Sequence, residues 1–293
     1  CVVDTHARAW TEYELDILAT LARIASREIA RQIAVNDERA ARLRAEALTH
    51  TVQAGLLPPQ LPDVPGLDLS ARFRPAGNGF DLGGDFYDLF PTAHGWSFVV
   101  GDVCGKGLEA AKAATLARHT VGAACMHNTD PSDVMRVFNA TFAARRSNDD
   151  LFLTAVYGTL SVRAGGCTVR LACAGHLPPI LRRADGSTAA LDVSGPLIGV
   201  FPDLRIDTHV FDLAPGDALI IYTDGVSEAR GEGGLYGEDA VNRIIEPLAA
   251  NADAETLAAA IEQAAVAFAG GVACDDIAVV VIRLPSGAAP ALP

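Results

Sequence analysis

The sequence predicts an α+β fold: two mainly antiparallel sheets with helix pairs packed on their outer faces, preceded by one long N-terminal helix. Three observations lead there. Strand patterns come in runs joined by short turns rather than in strict alternation with helices, which disfavours a doubly wound parallel sheet. Helical stretches come two at a time, once after the first strands and once before the last. No Gly or Pro interrupts Trp10 to Thr51, so a single helix can run through the N-terminal region.

That helix has a start signal. Thr11-Glu12-Tyr13-Glu14 is a capping box, in which Thr and the Glu three residues on satisfy two orphan donors. Apolar or small residues then recur at Leu15, Leu18, Ala22, Ala25 and Ile29, a coiled-coil type of seam that meets Gln32 and Asn36 and resumes weakly at Leu43. A dimer-forming signalling helix and an ordinary amphipathic helix lying on its own domain both satisfy this pattern. Leu56-Leu57-Pro58-Pro59 ends it, because Pro excludes the helical conformation from the residue before it. Leu67, Leu69, Ala71 and Phe73 alternate with polar residues as a half-buried strand, and Trp96–Val100 forms another that leads into Gly101-Asp102. An Ala-rich helix runs from Gly107 to about His127, and a second, capped by Ser132, to about Arg146. Strands follow at 152–162, 167–173, 178–183, 206–213 and 217–223, then helices at 237–249 and 254–269. The last strand, Ile277–Leu284, precedes a tail rich in Ala and Pro that is expected to be disordered.

Composition excludes several function classes. A chain of 293 residues, at ~150 per domain, holds one large domain with a remnant or two small ones. Half of it is hydrophobic and 20% charged, which rules out a disordered acidic chain. Lys+Arg 23 against Asp+Glu 36 gives −13, so nucleic acid is not an expected partner. No apolar run approaches the ~18 residues of a membrane span, and no membrane association is expected. The N-terminus lacks the basic-then-apolar order of a signal peptide, begins without Met, and reads as a fragment of a longer chain. Six cysteines without a CxxC pair or zinc-ligand spacing point to reduced, mostly buried thiols in the cytoplasm.

Four acidic sites share one local pattern, an Asp at a strand end or turn beside glycine or a second Asp. They are Gly83-Gly84-Asp85, Gly101-Asp102-Val103-Cys104-Gly105-Lys106-Gly107, Thr223-Asp224-Gly225 and Asp275-Asp276. Strands of one core can bring such ends together although the residues lie far apart in sequence. Gathered carboxylates repel one another unless cations neutralise them, and oxygen-only donors suit hard divalent ions such as Mg²⁺ or Mn²⁺. Singly, an Asp-Gly pair is most often a turn. Gly105-Lys106-Gly107 lacks the spacing of a phosphate-binding P-loop.

In combination these segments resemble the SpoIIE/RsbU-type branch of the metal-dependent PPM protein serine/threonine phosphatases (type 2C-like). The resemblance is carried by Leu56-Leu57-Pro58, Gly83-Gly84-Asp85-Phe86-Tyr87-Asp88 and Gly101–Gly107, followed in family order by Ala174-Gly175-His176-Leu177-Pro178-Pro179, Tyr222–Ala229 and Asp275-Asp276-Ile277-Ala278. It covers about residues 55–284. Cys1-Val2-Val3-Asp4 through Trp10-Thr11 and the helix that follows are similar to the closing strand and helix of a GAF sensor domain. The organisation implied is a sensor end and linker helix at 1–54, a phosphatase domain at 55–284 and a tail at 285–293.

The resemblance implies an αββα sandwich with two Mn²⁺ or Mg²⁺ ions at one end. Asp102 would bridge them, the Val103 carbonyl would bind one, Asp224 and Asp275 would hold the other, and Asp85 would stand at the first, directly or through water. Asp102 and Asp224 are thus the expected catalytic residues, with Asp88 and Asp276 as supporting or turn residues and His176 as a hydrogen-bonded turn residue. A water between two divalent ions loses its proton near neutral pH and can attack phosphorus in line. Many eukaryotic relatives carry a His two places after the bridging Asp; here Cys104 stands there, leaving metal-bound water as the expected proton source. Cys104 and Cys274 are expected to be packed thiols. The implied substrate is a phosphorylated STAS-domain anti-sigma-factor antagonist, and the implied assembly is a homodimer through the N-terminal helix that regulates the enzyme. Two other readings stay open: a non-catalytic signalling scaffold, and a metal-dependent phosphoesterase for a small molecule. Retention of all four acidic positions speaks against the first, and the absence of a nucleotide loop against the second. Arg72 and Arg74 are the candidate phosphate-contacting cations, although exposed strand arginines are commonly just that.

Overall fold

Both sheets end in acidic residues along one edge, and the strand register explains why. The computed structural model describes residues 9–56, 61–77, 83–146 and 150–286. The chain divides into two units, residues 1–48 and 49–293. The GAF-like segment before Ala9, the Leu57–Gln60 part of the helix-ending motif and the tail from Gly287 lie outside the described residues.

The long helix, α1 (Glu12–Leu56), begins in the first unit and runs past residue 48. Its capping box closes as expected: the Thr11 N–H donates to the Glu14 carboxylate at 2.9 Å, and the Glu14 N–H donates to Thr11 Oγ1 at 3.3 Å. Leu15 and Ile29 of the seam are exposed, and so are Ile17, Leu21, Ile24 and Ile33.

The strands of the second unit begin with β1 (Asp68–Arg74), β2 (Phe86–Thr92) and β3 (Gly95–Val103), followed by α2 (Leu108–Ala124) and α3 (Pro131–Arg145). Next come β4 (Leu153–Arg163), β5 (Gly166–Ala174), β6 (Ile180–Arg182), β7 (Thr188–Ala190), β8 (His209–Leu213) and β9 (Ala218–Tyr222). The chain continues through α4 (Asp224–Ser227), β10 (Arg230–Gly231), β11 (Gly234–Leu235), α5 (Ala240–Ile245), α6 (Ala254–Phe268) and β12 (Ile277–Arg283). One five-stranded sheet has the order β1-β12-β9-β6-β7, the other β2-β3-β4-β5-β8, and β10-β11 is a separate hairpin. Every described pairing between named strands is antiparallel.

Three apolar clusters glue the layers. Phe98, Val100, Val156, Leu171, Leu219, Ile221 and Val280 join the two sheets. Phe138, Phe142, Ala114 and Val121 seal α2 and α3 onto one sheet, and Leu257, Ile261 and Val241 seal α5 and α6 onto the other. Since β12 is covered on both faces, all seven of its residues are buried and it reads as an unbroken apolar run.

Two elements depart from the sequence expectation. The helix expected at 237–249 shortens to α5, because Pro247 has no N–H to continue the helical ladder beyond Glu246 and Asp239 takes the cap position. β2 is an additional strand: Phe86 packs under the helices while Tyr87 and Leu89 face the other sheet, so apolar residues on both faces hide its alternation.

Arg182, at the end of β6, is 1% exposed and has no carboxylate partner among its hydrogen bonds. Its guanidinium donates to the carbonyls of Ile245 (3.3 Å), Leu248 (2.9 Å), Ala249 (3.2 Å) and Ala250 (3.4 Å) at and just beyond the end of α5, of which Ile245 and Ala249 also accept the N–H groups of Leu248 and Ala252. Arg182→Leu removes the guanidinium from all four carbonyls, only two of which keep a backbone donor, and is expected to cost about 3 kcal/mol in denaturant unfolding. A loss below about 1 kcal/mol would show that water replaces the guanidinium there.

Candidate metal centre

Antiparallel register alone gathers the acidic residues. Phe86 pairs with Gly101, so the start of β2, preceded by Gly84-Asp85, meets the end of β3, which carries Asp102-Val103. Tyr222 pairs with Val279, so the end of β9, followed by Thr223-Asp224, meets the start of β12, preceded by Asp275-Asp276. Each sheet thus delivers two acidic segments to one edge. A hydrogen bond links the layers directly: Thr223 Oγ1 donates to Asp85 Oδ2 at 2.6 Å. Thr223 is itself fully buried and accepts the Ala278 N–H at 2.9 Å.

A cleft of about 250 Å³ opens at this edge, lined by Asp102, Val103, Lys106, Asp224, Asp275 and Asp276 among others. Asp85 stands behind its wall, 5% exposed. The backbone is shaped for close approach. A Cβ on Gly84 would lie 2.3 Å from the Val103 carbonyl oxygen and 2.7 Å from Asp102 Oδ1, so no larger residue fits without displacing both. The Cys104 N–H donates to the Phe152 carbonyl at 3.0 Å, which turns the Val103 carbonyl of the same trans peptide the opposite way, toward Gly84.

The electrostatics of the cleft are those of crowded like charges. Burial, then the charges of Asp102, Asp276 and Asp224, hold the Asp85 carboxyl well above the ordinary carboxylate range, against the hydrogen bond from Thr223. Burial and Asp224 push Asp102 up to about 7. Asp224 is raised by burial, Asp275 and Glu228. Asp276 is raised to about 6 by burial and Asp275, opposed by the Ala76 N–H, which donates to its Oδ1 at 2.8 Å, and by Lys106. The donor set is oxygen only, its carboxylates are short of positive charge, and a backbone carbonyl is aimed among them. That chemistry fits hard divalent cations. The donors ring the cleft rather than closing on one point: among the described residues no group of three His, Cys, Asp or Glu side chains is spaced to hold an ion.

The structure brings Asp102, Val103, Asp224 and Asp275 to the cleft, with Asp85 beneath. Asp276 lines it too. Asp88 stands apart, paired with Arg118 on α2 at 3.4 Å. His176 is buried, its Nδ1 2.7 Å from Thr154 Oγ1, and burial lowers its pKa to about 4, so the ring is neutral. Cys104 and Cys274 correct their expectation: both thiols are exposed, because the loops they sit on rim an open cleft. Arg72 and Arg74 are engaged by Glu255 and Glu262 of α6 and do not line the cleft. Lys106, Thr223 and Thr154 are the neighbours sequence reasoning missed. Lys106 and Thr223 lie inside quoted motifs, whereas Thr154 is found only through its register opposite Asp102.

Comparison with known proteins converges on one family. A family model described as Stage II sporulation protein E (SpoIIE) matches residues 92–285. Protein IcfG of Synechocystis sp. is 28% identical over 233 residues, 70% of this chain and 36% of that protein. Phosphoserine phosphatase RsbU of Bacillus subtilis is 26% identical over 196 residues, 67% of this chain and 57% of that protein. The SiaA-PP2C domain of Pseudomonas aeruginosa shares the fold, with a TM-score of 0.66 at 19% identity over 84% of this chain and 98% of that one. The chain spans 36% and 57% of the lengths of the two curated relatives.

Raised carboxyl pKa values make the metal-free protein pH-sensitive. A carboxyl near 3.9 when unfolded and about 7 when folded, as for Asp102, binds more protons in the native state between those values. Stability is therefore full below the unfolded value and is lost as pH rises toward the folded one. The melting temperature of the metal-free protein is expected to fall from pH 5 to pH 8, and Mn²⁺ or Mg²⁺ is expected to restore it most at the upper end. A melting temperature that rises over this range, or the same cation effect at pH 5 and pH 8, would contradict the cluster.

Proposed function

Because the chain belongs to the SpoIIE family of PPM-type phosphatase domains, we propose that it is a metal-dependent phosphatase acting on phosphoserine or phosphothreonine in a protein. The observation that carries this reading is the open cleft where Asp102, Asp224 and Asp275 meet beside the Val103 carbonyl, with their charges unbalanced. The name of the Bacillus subtilis relative, a phosphoserine phosphatase, supports the same chemistry.

Asp102, the Val103 carbonyl, Asp85, Asp224 and Asp275 would together hold two Mn²⁺ or Mg²⁺ ions. When bound, the ions would supply a water activated near neutral pH and would offset charge on the phosphoryl oxygens. The chain's own residues prepare that site. Thr223 fixes Asp85 by donating to its Oδ2, and being buried it leaves no room for water to compete. The Phe152 carbonyl fixes the peptide that presents the Val103 oxygen. Asp276, anchored by the Ala76 N–H, bounds the cleft and accepts no metal in this reading. The open side of the cleft admits a phosphorylated side chain on another protein's surface. The substrate proposed is a phosphorylated STAS-domain protein, on the strength of the family resemblance.

Regulation through α1 is part of the proposal. Leu15 and Ile29 of the seam are exposed on a helix with a closed N-terminal cap, which supports a homodimer through this helix. No helix among the described residues is long and apolar enough to cross a membrane, and the five described cysteines are free thiols. A cytoplasmic location accords with those thiols.

With Mn²⁺, the full chain is expected to hydrolyse p-nitrophenyl phosphate and to dephosphorylate a phosphorylated STAS-domain protein. Asp102→Ala and Asp224→Asn are each expected to lower turnover about a thousandfold, several kcal/mol of lost charge stabilisation. Turnover on neither substrate would favour the scaffold, and turnover on the small ester alone would favour a small-molecule phosphoesterase. A chain starting near Gly55 is expected to lose the dimer and to change in turnover or metal dependence; identical behaviour in all three would remove the regulatory role of α1.

A further inference from the structure

We propose that Lys106 receives the phosphoryl group of the substrate, and that in the ligand-free protein Asp275 holds this lysine at the mouth of the cleft. The inference rests on the phosphatase reading above. Among the described residues lining the cleft, Lys106 carries the one cationic side chain. Other arginines of this unit are committed elsewhere. Arg72 and Arg74 pair with Glu255 and Glu262, Arg118 pairs with Asp88, and Arg146 donates to the carbonyls of Leu151 and Gly199.

The lysine is placed to move. Its Nζ lies 3.5 Å from Asp275 Oδ1, beyond the distance of a direct charge-assisted hydrogen bond, and the two side chains are 54% and 50% exposed. Such a pair is weak and easily exchanged. Lys106 stands at the tip of the turn between β3 and α2, flanked by Gly105 (φ 108°) and Gly107 (φ 84°). No atom lies within 4 Å of a Cβ built on either glycine, so it is the backbone conformation, not crowding, that asks for glycine there. The turn thereby projects a flexible cation over a cleft whose walls are acidic.

This arrangement orders two events. A cation on Asp275 neutralises the partner that holds Lys106 and leaves the ammonium to the phosphate oxygens. Without a cation, the ammonium offsets part of the charge that would otherwise face Asp275 and Asp276 unopposed. Lys106 thus stands in for the metal before loading and binds substrate after it.

The test uses the full chain with Lys106→Gln and Lys106→Arg. Titration calorimetry reads Mn²⁺ binding without substrate and inorganic phosphate binding to the Mn²⁺-loaded protein, and steady-state kinetics read KM and kcat for a phosphopeptide. Lys106→Gln is expected to weaken phosphate binding and raise KM about tenfold, with kcat changed less, while Mn²⁺ binds as tightly as in the wild type or more tightly. Lys106→Arg is expected to recover most of the phosphate affinity. Unchanged phosphate affinity in Lys106→Gln, or weakened Mn²⁺ binding in it, would overturn the proposal. Phosphate binding reports on Lys106 even if the wild type turns over no ester. A wild type without phosphatase activity therefore defeats the functional reading alone, and an active enzyme indifferent to Lys106→Gln defeats this one alone.

Discussion

Like charges forced together at one sheet edge are the constraint on which this structure turns. Asp85, Asp102, Asp224 and Asp276 are all displaced from ordinary carboxylate behaviour, each first by burial and then by its acidic neighbours. A protein holds such a cluster only because the surrounding fold outweighs it, and here that fold is two fully antiparallel five-stranded sheets sealed by three apolar clusters. The strain is concentrated at the one place where chemistry would use it. A divalent cation turns mutual repulsion into coordination, so the repulsion that costs stability is also the source of affinity for the cation.

Rigidity and freedom are divided along the same edge. Asp102 and Val103 are the last residues of β3 rather than part of the turn beyond it, and the ladder to β4 fixes them to the core. Asp85 is pinned across the layers by Thr223. By contrast, Asp275 and Lys106 are half exposed on turns. Groups that define the site are thus built on strands, while those that meet incoming ligands sit where they can adjust.

Much of this was legible in the sequence, for a physical reason. Runs of strands with paired helices specify layers, and an Asp beside glycine at a strand end specifies a close backbone approach. Both are local patterns, and the β3, β9 and β12 ends appear where the apolar runs placed them. β2 escaped because it is apolar on both faces, and α5 came out short because Pro247 outweighed the helical pattern around it. Asp276 lines the cleft beside Asp275, and no sequence pattern tells which of two adjacent carboxylates faces inward. Thr154 and the real partners of Arg72 and Arg74 depend on which strands and helices become neighbours, and that is fixed by tertiary packing alone. The exposed Cys104 and Cys274 follow the same rule: a small apolar-looking residue in a motif carries no mark of the open cleft beside it.

The central claim is that burial and crowding raise the proton affinity of these carboxylates, so that a cation displaces protons as it binds. Titration calorimetry of Mn²⁺ into the full chain, repeated in buffers of differing ionisation enthalpy at pH 6.5 and pH 8.5, measures the protons displaced. With Asp102 at about 7, binding at pH 6.5 is predicted to release on the order of one proton, and at pH 8.5 close to none. Binding without proton release at either pH, or no binding at all, would contradict the account.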